Sequence, residues 1–363
     1  MKFSSAIITL GALTSVWALP TEFPEDSSCD STPEPECPTV SGDILINQYQ
    51  LYPENVFYDP SSCKLFFSAL FNASVYIYDP QTSTSQTISF PNITLNPTLH
   101  ISGLRISPIT SLLGVIIDAG AAFDTAGADI SGSNFLIQYD LSTSTEISRL
   151  NLTETTQGIY GGYQDLEFDS EGNIYVVGTY PSSILKVGPS GLGEVEVWYL
   201  PNAESLDHTV KGIGGLAVVG DVLLANDNAS GELLRFDMTS STGTPTVVPH
   251  NALGNLTIND QGDGIHLPAK YNGTVLLIAQ NMAGLSVLRS SDGWLTAEFL
   301  GVISMPESVV GNGVVTAAVQ IGESLYANIE YFFDTPVAPP NNAGNRTVFP
   351  LVDVTAELDA LLV

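Results

Sequence analysis

The chain has 363 residues, 44% of them hydrophobic, with 10 Lys and Arg against 39 Asp and Glu and a formal charge of −29. A field of that sign repels a phosphate backbone and an anionic lipid surface, which excludes nucleic acid and generic attraction to acidic membranes. After the N-terminal stretch no run reaches the roughly 18 apolar residues that span a bilayer, so no integral membrane protein is expected.

At the N-terminus Lys2 is followed by the apolar run "AIITLGALTSVWA", with small Val16 and Ala18 ahead of a cleavage point. This order of features predicts a secretory signal over residues 1–18, and hence a secreted or secretory-lumen protein. Residues 19–44 are rich in Pro and acid and read as a lead-in without regular structure. Cys29 and Cys37 lie in this lead-in, and Cys63 lies beyond it. An oxidising compartment favours one bridge from the lead-in to Cys63, with the partner open between Cys29 and Cys37. Seven N-x-S/T sequons, at Asn72, Asn92, Asn151, Asn228, Asn255, Asn272 and Asn345, predict a glycoprotein with these positions on its surface.

From residue 45 short β-rich runs alternate with Gly, Asn, Asp and Ser turns, which argues an all-β fold. Six segments share one grammar, opening at "ENVFYD", "SGLRIS", "QDLEFD", "GGLAVV", "DGIHLP" and "NGVVTA". Second strands follow in each ("KLFFSAL", "LLGVIID", "NIYVVGT", "DVLLAND", "TVLLIAQ", "SLYANIE"), and most third strands end near an Asp. A repeat of about 50 residues with matched starts predicts a six-bladed β-propeller over residues 45–363 rather than a β-sandwich. The early strand "DILINQY" is placed to pair with the last blade and close the ring.

First strands line the central channel of a propeller, so matched starts become neighbours at one mouth. Around the ring they are Glu54, Ser102, Gln164, Gly214, Asp263 and Asn312. Five are polar, which suggests a site, with a polar-capped water channel as the alternative. Other groups expected at this mouth are His100, Asp118, Tyr180, Asn281 and Tyr331. The Ala- and Gly-rich run "AGAAFDTAGADISGSN" reads as a lid, and "FFDTPVAPPNNAGNRT" as a partial cover. No G-x-S-x-G elbow, zinc spacing, P-loop or dinucleotide fingerprint occurs.

The segments "ENVFYD", "QDLEFDSEGNIYVVG" and "GGLAVVGDVLLANDNASGELLRFD" resemble the gluconolactonase-type propellers. That resemblance implies a divalent cation held by one Glu, two Asn and one Asp. Glu54 and Asp263 match this set, but Gln164 and Gly214 stand where the two Asn are expected. No metal is therefore expected, because a hard cation wants six to eight oxygens. A second resemblance spans nearly the whole chain. The runs "YPENVFYDPSSCKLFFSALFNASVYIYDP" and "GLRISPITSLLGVIIDAGAAFDTAGADISGSNFLIQYDLST" look like a secreted fungal propeller family. It includes a Malassezia surface allergen and a protein encoded in trichothecene toxin clusters, with hetero-Diels–Alderases of tropolonic sesquiterpenoid pathways among propellers of similar type. The resemblance implies a six-bladed fold, a signal peptide and often residence in a secondary-metabolite gene cluster, and does not decide the reaction. With the polar ring, the first expectation is a monomeric enzyme, free of metal and redox cofactor, that cyclises a small hydrophobic metabolite, with Glu54 and Asp263 as its acids. The alternatives are a non-catalytic lipid or metabolite binder and a metal-dependent lactonase.

Overall fold

The computed structural model describes residues 37–189, 191, 195–201, 206–250 and 261–363. The secretory-signal expectation, Cys29 and Asn255 lie outside the described residues. Among the described residues, alternating β-branched and aromatic runs form strands. After β1 (Ile44–Asn47), the first blade holds β2 (Pro53–Asp59), β3 (Lys64–Ala69), β4 (Ser74–Asp79) and β5 (Thr84–Ser89). The second holds β6 (Leu99–Ile106), β7 (Leu113–Ala119), β8 (Phe135–Asp140) and β9 (Thr145–Asn151). The third holds β10 (Gly161–Phe168), β11 (Ile174–Tyr180), β12 (Ser183–Val187) and β13 (Val195–Tyr199). The fourth holds β14 (Ile213–Val219), β15 (Val222–Asp227), β16 (Glu232–Asp237) and β17 (Thr246–Val247). The fifth holds β18 (Gly262–His266), β19 (Val275–Gln280), β20 (Gly284–Arg289) and β21 (Glu298–Ile303). The last holds β22 (Val314–Ile321), β23 (Ser324–Glu330) and β24 (Val348–Asp353).

The last blade has the order β1-β24-β23-β22, so the first strand of the chain completes it, with Ile44 opposite Leu351 and Asn47 opposite Val348. The six antiparallel sheets form a six-bladed β-propeller, as the repeat predicts. A disulfide joins Cys37 to Cys63 and settles the choice of partner within the lead-in. Asp residues at the ends of third strands are turn formers. The carboxylates of Asp79, Asp140 and Asp237 accept the backbone N–H two residues on, from Gln81, Ser142 and Thr239, at 2.8, 2.8 and 2.9 Å. Blades seal face to face through large apolar groups. Trp198 of β13 sits between Tyr175 and Phe236, with ring centroids 4.9 and 5.5 Å apart.

One irregularity recurs in every first strand and builds the mouth of the channel. Register breaks between Pro53 and Val56, Ile101 and Leu104, Tyr163 and Asp165, Ile213 and Leu216, Gly262 and Ile265, and Val315 and Ala317. A bulge re-aims the side chain it carries. The bulge positions are Glu54, Ser102, Gln164, Gly214, Asp263 and Thr316. Just after the bulge, glycine lets adjacent first strands touch. A Cβ on Gly103 would meet the Asp165 Cα at 2.7 Å, and one on Gly215 would meet the Ile265 N at 2.8 Å.

The sequons fall into groups. Asn92, Asn272 and Asn345 are exposed, and Asn72 and Asn151 are half-buried. Asn228 departs from the expectation of a surface position. It is 8% exposed, its Nδ2 donates to the Gly212 and Gly262 carbonyls at 2.8 and 3.1 Å, and its Oδ1 accepts from Gly262 N at 2.7 Å. Its amide ties β14 to β18 and is not free for a glycan. Among the described residues no helix is long and apolar enough to cross a membrane.

Candidate functional site

The bulges open onto a cavity of about 570 Å³ at the mouth of the channel. Its floor is polar: Glu54, Ser102, Gln164 and Asp263 from the bulges, with His100 and Asp118 from the paired ends of β6 and β7. Its walls are apolar and aromatic: Leu70, Phe71, Phe123, Tyr180, Phe332 and Phe333. Phe123 lies in α1 (Ala121–Asp124), inside the run expected to act as a lid. Phe332 and Phe333 open the run expected to act as a partial cover. The two covers meet where Asn342 Nδ2 donates to Asp124 Oδ1 at 2.9 Å.

Three carboxyl groups share this floor in unequal surroundings. Asp263 is the one with donors. Gln164 Nε2 reaches its Oδ1 at 2.5 Å and Asn281 Nδ2 its Oδ2 at 3.0 Å. Burial raises the Asp263 pKa, and Lys211, Asn281 and Gln164 oppose the rise by favouring the anion. Glu54 Oε2 and both oxygens of Asp118 are buried with no hydrogen-bond partner. Burial first, then the charge of Asp263, lifts Glu54 well above the usual carboxylate range. Burial pushes Asp118 up to about 7. A carboxyl that lacks donors in an apolar site keeps its proton. The floor therefore sets two carboxyl groups that burial pushes towards the protonated form beside one whose oxygens both carry donors. Burial also lowers the pKa of His100, whose ring stands edge-on to Phe71 at 5.4 Å.

A second layer fixes the first. The Asn226 side chain accepts from Gly215 N at 2.7 Å and donates to the Asp263 carbonyl at 3.0 Å, bracing the fifth bulge. Asn328 donates to the Pro53 carbonyl and, at 2.9 Å, to Thr316 Oγ1, bracing the first. Asp165 turns away from the mouth; its Oδ2 accepts from Leu216 N at 2.9 Å and locks the third blade to the fourth.

No family model matches the sequence. The chain is 38% identical over 347 residues to "Trichothecene biosynthesis protein 14" of Trichoderma arundinaceum, covering 91% of this chain and 92% of that protein. It is 34% identical over 356 residues to "Core trichothecene cluster (CTC) protein 14" of Fusarium sporotrichioides, covering 90% and 88%. The chain belongs to the trichothecene-cluster protein 14 family. Among solved structures, this family member is similar to the major Malassezia sympodialis allergen Mala s 1, with a TM-score of 0.72, 20% identity, and coverage of 87% and 96%. It is also similar to a gluconolactonase from Xanthomonas campestris, with a TM-score of 0.51, 15% identity, and coverage of 85% and 89%. These two likenesses concern the fold alone.

In this member of the protein 14 family, eight of the ten expected binding and catalytic residues line the cavity: Glu54, Asp263, Ser102, Gln164, His100, Asp118, Tyr180 and Asn281. Asn312 and Tyr331 do not. Asn312 lies before β22 and contacts Asp334 and Arg346 at 3.5 and 3.3 Å. The sixth bulge falls four residues later, at Thr316, where the register with β23 breaks between Val315 and Ala317. Tyr331 is buried beneath Arg346, whose guanidinium carbon is 3.4 Å from the ring centroid, so Phe332 and Phe333 take the wall positions instead. Lys211, which also lines the cavity, was not anticipated. Its signal was available: it is the one Lys between Lys186 and Lys270, three residues ahead of the fourth bulge position.

The residues do not fit the divalent cation of gluconolactonase-type sites. Gly214 brings no oxygen, and a Cβ there would meet the Gly262 carbonyl at 2.7 Å, so no longer side chain fits. Gln164 turns its NH₂ inward, towards Asp263. Among the described residues no three His, Cys, Asp or Glu side chains are grouped to hold a metal ion.

Proposed function

We propose that this protein acts in secondary-metabolite biosynthesis as a cofactor-independent cyclase that closes a ring in a small hydrophobic, terpenoid intermediate. Membership of the protein 14 family supports the biosynthetic role. The observation that carries the chemistry is the pairing of buried Glu54 and Asp118 with donor-supported Asp263 on the floor of one apolar-walled cavity. The walls fold the substrate so that its reacting ends meet, which is worth roughly 7–11 kcal/mol in favourable cases. Glu54, neutral, donates to the substrate oxygen on which negative charge develops. The ring bond forms at the expense of a substrate π bond, Asp263 takes one proton from the substrate as Glu54 gives one, and the product is an isomer of the substrate. Asp118 keeps a second proton beside the first. Every step is redox-neutral.

The test is incubation of the purified protein with neutral terpenoid intermediates, with ring closure followed by chiral chromatography and mass spectrometry. Acceleration over the protein-free rate is expected. Glu54→Gln and Asp263→Asn are each expected to lower it by about 100-fold or more, the scale of a lost general acid or base. The rate falls as pH rises through about 7, where Asp118 gives up its proton. Ligand-induced stabilisation with no product from any intermediate would replace the cyclase by a binder.

A further inference from the structure

Gln164 meets Asp263 through an amide that has two ends, and Thr179, a fully buried residue of β11 that does not line the cavity, sits behind it. The Thr179 Oγ1 lies 2.9 Å from Gln164 Oε1 and equally 2.9 Å from the Ile213 carbonyl. A hydroxyl has one proton and donates to one of these acceptors at a time. We propose that Thr179 is the positioning residue for Asp263, its hydroxyl selecting which end of the Gln164 amide faces the carboxyl.

Two arrangements leave the Thr179 hydroxyl, the Gln164 amide and the Asp263 carboxyl each paired with one another. In the first, Thr179 donates to Gln164 Oε1, and the Gln164 NH₂ donates to ionised Asp263. In the second, Thr179 donates to Ile213 O and accepts from the Gln164 NH₂, so that Oε1 accepts the O–H of protonated Asp263. Asn281 donates to Oδ2 in both. A buried donor or acceptor stranded by a proton movement costs about 1–3 kcal/mol, and the amide flip avoids that cost. Asp263 thus takes up and returns one proton without losing a hydrogen bond. The charged and titratable groups that face it are Glu54 on β2, Asp165 on β10, Tyr180 on β11, Glu330 on β23, and Lys211 just before β14. None of these stands between Thr179 and Gln164.

Thr179 has this role for catalysis only if Asp263 accepts the proton, as proposed above, but the flip is measurable with no substrate. The full chain is labelled with side-chain ¹⁵N Gln and carboxyl ¹³C Asp, and the signals are assigned with Gln164→Leu and Asp263→Asn. In a pH titration the Gln164 amide is expected to change with the midpoint of the Asp263 carboxyl. In Thr179→Val the ionised arrangement strands Gln164 Oε1 and the protonated one strands an amide N–H, the costlier of the two, so the Asp263 midpoint is expected to fall by about half a pH unit. Thr179→Ser restores it. A Gln164 signal that stays flat while Asp263 titrates, an Asp263 that does not titrate between about pH 3 and 9, or a Thr179→Val midpoint equal to wild type overturns the proposal. A flip seen in a protein that cyclises nothing refutes the cyclase alone.

Discussion

Asp118 shows what one unpartnered carboxyl does to the protein that carries it. In the unfolded chain it ionises near its ordinary value of 3.8, and in the folded protein only near 7. Between those values folding takes up a proton, so stability falls as pH rises from about 4 to about 7 and then levels off. Asp118→Asn removes the penalty. It is expected to be more stable than wild type at pH 8, by on the order of 2–4 kcal/mol, and about equal at pH 4. Urea unfolding at the two pH values checks this. At the same scale, the sequence exposed polar residues at matched starts but not their neighbours in space. Glu54 and Asp263 could be named because each stands at the matched start of its blade. Asn228 was misread because a sequon is a local triplet, whereas the contacts that bury it come from Gly212 and Gly262, 16 and 34 residues away.

Among elements, the bulged first strand does most to place the site, and it was half legible. Five starts were aligned correctly because an apolar residue follows each by two positions, at Val56, Leu104, Leu166, Leu216 and Ile265. The sixth slipped because Asn312 offers a polar residue four positions early, and side-chain contacts rather than periodicity decide between them. The two covers were visible as long runs rich in small residues and Pro, but their junction was not, since Asp124 and Asn342 are 218 residues apart. That junction is one exposed hydrogen bond, worth about 0.5–1.5 kcal/mol. Asn342→Ala is expected to leave the unfolding midpoint nearly unchanged and to speed release of the neutral apolar dye Nile red by about two- to tenfold, read by stopped-flow fluorescence.

For the whole molecule, the repeat, the blade count and the closing strand were readable from the chain, because each blade spells the same strand order. The disulfide was legible as a class of contact but not as a pair. It closes a loop of 26 residues around β1, the strand that completes the last blade. Cross-linking a loop of that length stabilises by about 3 kcal/mol through the unfolded state. Cys63→Ser is expected to lower stability by about that amount while leaving the circular-dichroism spectrum of the folded protein unchanged.

The ring is fastened by strands some three hundred residues apart in sequence, and that has a consequence for its biogenesis. As the chain leaves the ribosome, residues 44–47 emerge some three hundred residues before their partner, residues 348–353. Until those residues emerge, the nascent protein carries an open seam with unpaired backbone on one side. The closing pairing therefore waits for residues 348–353 to emerge, and the half-built disc is the species that most needs a chaperone.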